Sequence, residues 1–309
     1  MWFKNLLVYS IPKDFQVNKE LLEEKLPSQI FSPAMSTQQV SIGWAPVREN
    51  STELCFGIGG KHYILNFRKE KKLLPPKVIA EFVKERAKKI EENEGRKPGR
   101  KEMRDIKEDV THELMSKAFA IKDDTNVWLD MENHRIVVNS GSQSSADAII
   151  TTLIATLDGL SVSLINTDRS PAAAMTMWLT EDDDPPALFT IDQEAELAAK
   201  DESRANVKFS RKSPDAEEVK KHVNQGMQCV KLAMTWDSKV SFVLTEKLEF
   251  KRIKPVDLKQ EGGATDAAED VFEADLALMT AEVAAMLNDA LPYFGEQAQE
   301  TQEHQNDQD

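Results

Sequence analysis

RKEKKLLPPKVIAEFVKERAKKIEENEGRKPGRKEMRDIKEDVTHELMSKAFAIK, residues 68 to 122, is the stretch on which the rest of the chain turns. It carries seventeen Lys and Arg against eleven Asp and Glu, a net +6 inside a 309-residue protein whose total is −14. Its periodicity predicts two helices. In 77–94 the apolar residues Val78, Ile79, Phe82, Val83, Ala87 and Ile90 recur at helical spacing, with Lys77, Lys84 and Lys88 nearly opposite. Asn93, Gly95, Pro98 and Gly99 supply a turn. Beyond it, at 100° per residue, Met103, Ile106, Val110 and Leu114 make an apolar stripe. Lys97, Arg100, Lys101, Arg104 and Lys107 make a basic stripe beside it, and Glu102, Asp105, Asp109 and Glu113 take the third side. An antiparallel helical hairpin about 25 Å long with one cationic flank follows.

Working outward, a second segment, 204–254, is also +6, so the remaining residues sum to −26. Charge sorted in this way points to an anionic partner held by part of an acidic molecule. The plainer alternative is two solvated, salt-bridged surfaces.

Before the hairpin, 4–11 reads as a strand stopped by Pro12. Asn18 stands as a cap for a helix over KELLEEKL that Pro27 closes, and 40–47 and 62–67 read as strands joined through Gly57, Gly59 and Gly60. GIGGK at 57–61 lacks the spacing of a phosphate loop and reads as a hairpin turn. After the hairpin come strands at 119–121, 126–131 and 135–139, a helix at 142–157 and a strand at 162–165. Pro171 opens a further helix, and the run Asp182, Asp183, Asp184, Pro185, Pro186 breaks the chain. Asp192 is read as the cap of a helix over QEAELAAK. Residues 207–209 extend, Pro214 begins a helix, and 229–236, 240–244 and 248–253 alternate as an antiparallel meander. A loop at 259–265 leads into a long helix over 267–291, and 296–309 is polar, acidic and read as disordered. The expected class is therefore α+β: a mixed α/β body (1–75 and 116–168), a projecting helical hairpin (76–115) as its tip, and a base (169–295) with an antiparallel sheet and long helix.

The chemistry is mostly negative. Cys55 and Cys229 stand far apart, which argues against a disulfide framework or zinc site and for a reducing compartment. The five histidines occur singly, and the Asp182–Asp184 run reads as a linker instead of a magnesium site. There is no HExxH, GxSxG, Rossmann fingerprint or P-loop. No run of eighteen uncharged apolar residues occurs and no leader is recognisable, so the reading is a cytoplasmic protein with no membrane partner, no cofactor, no metal and no catalysis.

Several segments in order also resemble the bacterial recombination-associated RdgC family: MWFKNLLVYSI at the amino terminus, GWAPV at 43–47, RKEKKLLPPKVI at 68–79, KEDVTHELMSKAF at 107–119, VWLDMENHRIVV at 127–138, VKLAMTW at 230–236 and FEADLALMTAEVAAM at 272–286. The likeness runs over nearly the whole chain. One departure is the absence of a Pro before Ala118 and Phe119. The resemblance implies a nucleoid-associated, non-enzymatic protein that forms a ring-shaped homodimer around double-stranded DNA, reads no particular sequence, and restrains RecA-type recombinase filaments. The DNA-contacting candidates are then Lys77, Lys84, Lys88, Lys97, Arg100, Lys101, Arg104, Lys117 and Phe119 in the first basic segment, and Arg211, Lys212 and Lys220 in the second. A clamp of this kind requires both segments to face one space. The rival reading is an acidic DNA mimic that binds a recombinase through the −26 surface and does not touch DNA.

Overall fold

A computed structural model describes residues 2–49, 51–201, 205–211, 214–256 and 268–295. Among them, seven helices and twelve strands confirm an α+β chain. In order they are β1 (Asn5–Ser10), α1 (Lys19–Lys25), β2 (Val40–Ala45), β3 (Cys55–Ile58), β4 (His62–Lys72), α2 (Pro76–Glu94), α3 (Arg100–Lys117), β5 (Ala120–Asp130), β6 (Arg135–Val138), α4 (Gln143–Thr156), β7 (Ser163–Leu164), α5 (Pro171–Thr180), β8 (Phe189–Ala199), β9 (Asn206–Ser210), α6 (Ala216–Val223), β10 (Met227–Trp236), β11 (Val240–Thr245), β12 (Phe250–Pro255) and α7 (Ala268–Ala290). Two compact units form. One comprises Met1–Lys19, Phe56–Ile64 and Asn126–Asp309; the other comprises Glu20–Cys55 and Leu65–Thr125.

In the larger unit the strand order is β6-β1-β12-β11-β10-β8-β9, antiparallel, with β7 also on β1. The meander β10-β11-β12 stands where the alternating pattern put it. Leu276, Met279, Val283, Met286 and Leu287 of α7 are buried, as are Leu232, Met234, Phe242 and Phe250 of the sheet. Trp236 Nε1 donates to Asp289 Oδ2 at 2.8 Å, tying the meander to α7.

One expected helix is a strand. QEAELAA lies within β8, which stops just before Lys200, and Asp192 caps nothing: its carboxylate accepts from the Thr235 hydroxyl at 2.9 Å. Glu, Ala and Leu favour helices, but that preference is worth only tenths of a kcal/mol per residue. Pairing with β10 on one side and β9 on the other, which buries Ala195 and Leu197, outweighs it. Helix α1 ends at Lys25, just before Pro27 as expected, and the chain continues as a 3₁₀ turn over Leu26–Gln29. The loop at 259–265, the first residue of the last expected helix and the acidic stretch 296–309 lie outside the described residues.

Both cysteines are fully buried. Desolvation pushes the Cys229 thiol up to about 12; its Sγ lies 3.3 Å from the Lys231 carbonyl oxygen. At pH 8 roughly one molecule in 10⁴ would carry that thiolate, so the native protein should give no fast thiol titre with a disulfide reagent and two equivalents once unfolded. A fast native equivalent would contradict this packing.

In the smaller unit β2 pairs with β4 in the register Val40↔Lys71 to Ala45↔Asn66, and β5 lies on the other side of β4. Both β4 and β5 are longer than expected. β4 continues through RKEKK to Lys72, and β5 is one strand where two were read. Charge pairs across the strands hold these polar stretches. Arg68 meets Asp124 through two bonds of 2.6 Å, and Lys122 approaches Glu70 at 3.8 Å. Bonding to the Arg68 guanidinium, chiefly, holds the Asp124 carboxyl below its ordinary range despite partial burial. The buried Glu70 and Lys72 then fix the segment before β2, accepting from the Ala34 amide at 2.8 Å and donating to the Met35 carbonyl at 2.6 Å.

Candidate nucleic-acid interface

The helical hairpin belongs to the smaller unit, and α2 and α3 are its two limbs. Pro75 and Pro76 start α2 as cap and first-turn residues, and Gly95 ends it in the left-handed conformation at φ 70°. Between the limbs, Val83, Ile106 and Val110 form a small core joined by Ile79, Ile90, Met103 and Leu114. These are the residues whose spacing predicted both helices. Phe82, by contrast, is 45% exposed, so the apolar face of α2 is narrower than the sequence suggests.

Charge at the tip is arranged across the turn, against the dipole of each helix. The last turn of α2 holds Glu91, Glu92 and Glu94 and no base, while α3 begins with Arg100 and Lys101. Each set opposes its own helix dipole, at a cost of a few tenths of a kcal/mol per charge. Arg96 bridges the two ends, reaching Glu94 at 2.6 Å and Glu102 at 2.8 Å, and Glu102 also accepts from the Gly99 amide at 3.2 Å. The Arg96 bond, then the Gly99 amide, holds the Glu102 carboxyl below its ordinary range. Farther along, Glu113 binds Lys117 at 3.0 Å and Arg86 at 2.8 Å, which lowers its carboxyl in the same way. Glu94, Glu102 and Glu113 are thus committed to Arg86, Arg96 and Lys117, whereas Glu81, Asp105, Glu108 and Asp109 are in no ion pair among the described residues.

What remains is a set of cations without an ion pair. Among the described residues no acid lies within 4.0 Å of the side-chain nitrogens of Lys77, Lys84, Arg100, Lys101, Arg104 or Lys107, and all six are exposed. Arg100, Arg104 and Lys107 follow one another at four and three residues, the row that a helix places on one side. Of the other candidates, Lys88 pairs with Glu92 at 3.5 Å and Lys97 with Glu91 at 3.9 Å, both on the surface where such pairs are weak. In the larger unit Lys220 lies on α6, 3.6 Å from Glu217, and Arg211 follows β9 in the left-handed region at φ 60°. Lys212 lies outside the described residues.

Two of the segments quoted above as a resemblance, 68–79 and 107–119, fall on or next to this hairpin, and comparison with known proteins finds the likeness over nearly the whole chain. Residues 1–297 match the family model described as "Putative exonuclease, RdgC". The chain belongs to the RdgC family. It is 43% identical over 297 residues to the recombination-associated protein RdgC of Bordetella pertussis, covering 96% of this chain and 98% of that one. It is also 43% identical over 297 residues to the namesake from Herminiimonas arsenicoxydans, with the same coverage, and 39% identical over 303 residues to that of Burkholderia cenocepacia, covering 97% and 98%.

For this member of the RdgC family the sequence did not reveal a second feature beside the hairpin, an uncovered sheet face. Val40 and Ile42 stand opposite Lys71 and Lys69 in the ladder and so share a face with them; they are 40% and 43% exposed. The Leu73 amide donates to the Phe119 carbonyl at 2.7 Å, and at this corner Leu73, Phe119 and Ile121 are exposed too, Phe119 by 86%. Phe119 is among the expected DNA contacts, yet its neighbours are mostly apolar. The alternation of VSI at 40–42 carries the signal of this face, but RKEKK is too charged to be read as the strand beside it. As for chemistry, among the described residues no three His, Cys, Asp or Glu side chains come together to hold a metal ion, and no helix is long and apolar enough to cross a membrane.

Proposed function

We propose that this RdgC-family protein binds double-stranded DNA without sequence preference, as a homodimer that encircles the duplex, and that by occupying DNA it restrains RecA-type recombinase filaments. The observation that carries the reading is the set of six unpaired, exposed cations on one hairpin of a chain that is otherwise strongly acidic. Phosphate contacts by Lys and Arg position a protein on DNA and carry no sequence information. The name of its relatives, recombination-associated protein, supports the link to recombination. The role is architectural instead of catalytic, in the nucleoid of the cytoplasm, with no cofactor.

Retardation of a linear duplex tests it. Binding should be steep in salt and similar for unrelated sequences. No retardation at about 50 mM salt would favour the acidic DNA mimic, which would bind the recombinase directly. Because the family model is described as an exonuclease, end-labelled duplex should be incubated with the protein and Mg²⁺ or Mn²⁺; the expected product is full-length DNA, and shortening would replace the architectural role with a hydrolytic one.

The exposed face around Phe119, Ile121, Leu73, Val40 and Ile42 suits a contact between copies, since exposed apolar patches mark association sites and soluble homo-oligomers are mostly two-fold symmetric. Phe119→Asp should leave the circular dichroism unchanged and lower the sedimenting mass toward that of a monomer at micromolar concentration. A mutant that sediments like the parent protein would move the contact elsewhere.

A further inference from the structure

Helix α7 has two apolar sides, and only one of them is covered. At 100° per residue Leu276, Met279, Val283, Met286, Leu287 and Ala290 share one side and are buried. Val271, Ala274, Leu278, Ala281 and Ala285 run along the other at spacings of three and four. Val271 is 41% and Leu278 45% exposed, and Ala274 and Ala281 are exposed as well. A surface helix normally turns a polar face outward; one apolar nearly all round is characteristic of a helix with neighbours on both sides. The alanines would let a second helix come close, because interaxial distance is set by the side chains at the contact.

Charge says what that second helix is. From Ala268 to Gly295 the chain has no Lys or Arg. Asp275, Glu282 and Asp289 recur every seven residues in a row beside the outer stripe. Glu282 lies at 3.8 Å from Lys239, Asp289 accepts from Trp236 Nε1 and Asp275 is engaged as well, but no base of α7 itself offsets the row. Two copies of α7 set face to face would bring acid against acid. Nucleic acid would be repelled for the same reason. An apolar seam flanked by acids is complementary to an apolar seam flanked by bases. We infer that the outer face of α7 docks an amphipathic helix with basic flanks belonging to a partner protein. The inference does not depend on DNA binding.

The test uses the full-length protein and two fluorescein-labelled 18-residue helical peptides sharing one leucine face, one with Lys and one with Glu elsewhere, followed by anisotropy. The Leu/Lys peptide should bind at least about tenfold more tightly than the Leu/Glu peptide. Leu278→Lys, which removes the largest side chain of the seam, should weaken Leu/Lys binding about tenfold with unchanged circular dichroism. Should that variant fold poorly, Glu282→Lys should narrow the preference for the Leu/Lys peptide. Equal binding of both peptides would overturn the proposal. So would Leu/Lys binding that neither variant alters, since that is general attraction to an acidic protein. A Leu278→Lys protein that sediments as a monomer where the parent is a dimer would show that a second copy covers the face, and would also overturn it.

Discussion

Changing Lys97, Arg100, Lys101 and Arg104 together to Gln should cost roughly 100-fold in duplex affinity near 0.15 M salt and leave the fold intact. Each phosphate neutralised contributes about 0.9 to the slope of log K against log salt. Arg100, Lys101 and Arg104 have no ion pair to give up, whereas Lys97 lies 3.9 Å from Glu91 and contributes least, so the slope should fall by about 2 to 3 per subunit. The loss should be nearly equal for any duplex sequence. Stability should move by about 0.5 kcal/mol or less, because none of the four belongs to the core of Val83, Ile106 and Val110. Removing Arg100 and Lys101 from the first turn of α3 even relieves an unfavourable interaction with the helix dipole. Arg86→Gln and Arg96→Gln make the control. Both guanidinium groups are engaged by Glu113, Glu94 and Glu102, so these changes should lower hairpin stability more than they lower the salt slope. A folded quadruple variant with the parent's slope would take the hairpin off the DNA path, and Arg211 and Lys220 would become the surface to test.

How far such an interface can be read from sequence depends on the range of the interactions that make it. The hairpin was legible because Ile79, Val83 and Ile90, and then Met103, Ile106 and Val110, signal their helix by local spacing, and the basic row follows from the same 100° step. Which cations are unpaired was only partly legible. The Lys88–Glu92 and Glu113–Lys117 pairs sit at the helical spacing of four, but Lys97–Glu91 and Arg86–Glu113 join residues across the turn and need the fold. β8 could not be read at all from its own residues, because the preference of AELAA for helix is overridden by neighbours 28 to 37 residues ahead on β10. The sheet face at Val40, Ile42 and Phe119 fails for a related reason: Arg68 and Glu70 of RKEKK find Asp124 and Lys122 some fifty residues later, and pairs of that range have no local period.

Gly43 carries the last expectation, and the largest for stability. The chain entering β2 first crosses it: Ile30 bridges to Trp44, and the Phe31 amide donates to the Trp44 carbonyl at 2.8 Å. A Cβ on Gly43 would lie 2.6 Å from the Phe31 nitrogen, 2.7 Å from its Cα and 2.8 Å from the Gln29 carbonyl oxygen. All three are backbone atoms, so no rotamer change can make room and the crossing segment itself must lift. Overpacking of this kind costs about 1 to 3 kcal/mol. Weakening the Phe31 to Trp44 hydrogen bond adds about 1. Gly43→Ala should therefore lose about 2 to 4 kcal/mol, read as a lower urea midpoint with the same m-value. Gly59 is the matched contrast. It sits in the β3–β4 turn at φ +58°, and a methyl group there would have no neighbour within 4 Å, so Gly59→Ala meets only the strain of a left-handed residue, about 1 kcal/mol. Trp44 is fully buried and packs edge-on against Phe67 at 5.5 Å, so lifting the crossing segment should also change the near-ultraviolet dichroism of Gly43→Ala and leave that of Gly59→Ala as it was. Equal melting of the two variants would mean that the 29–31 segment does not cross β2 as closely as this.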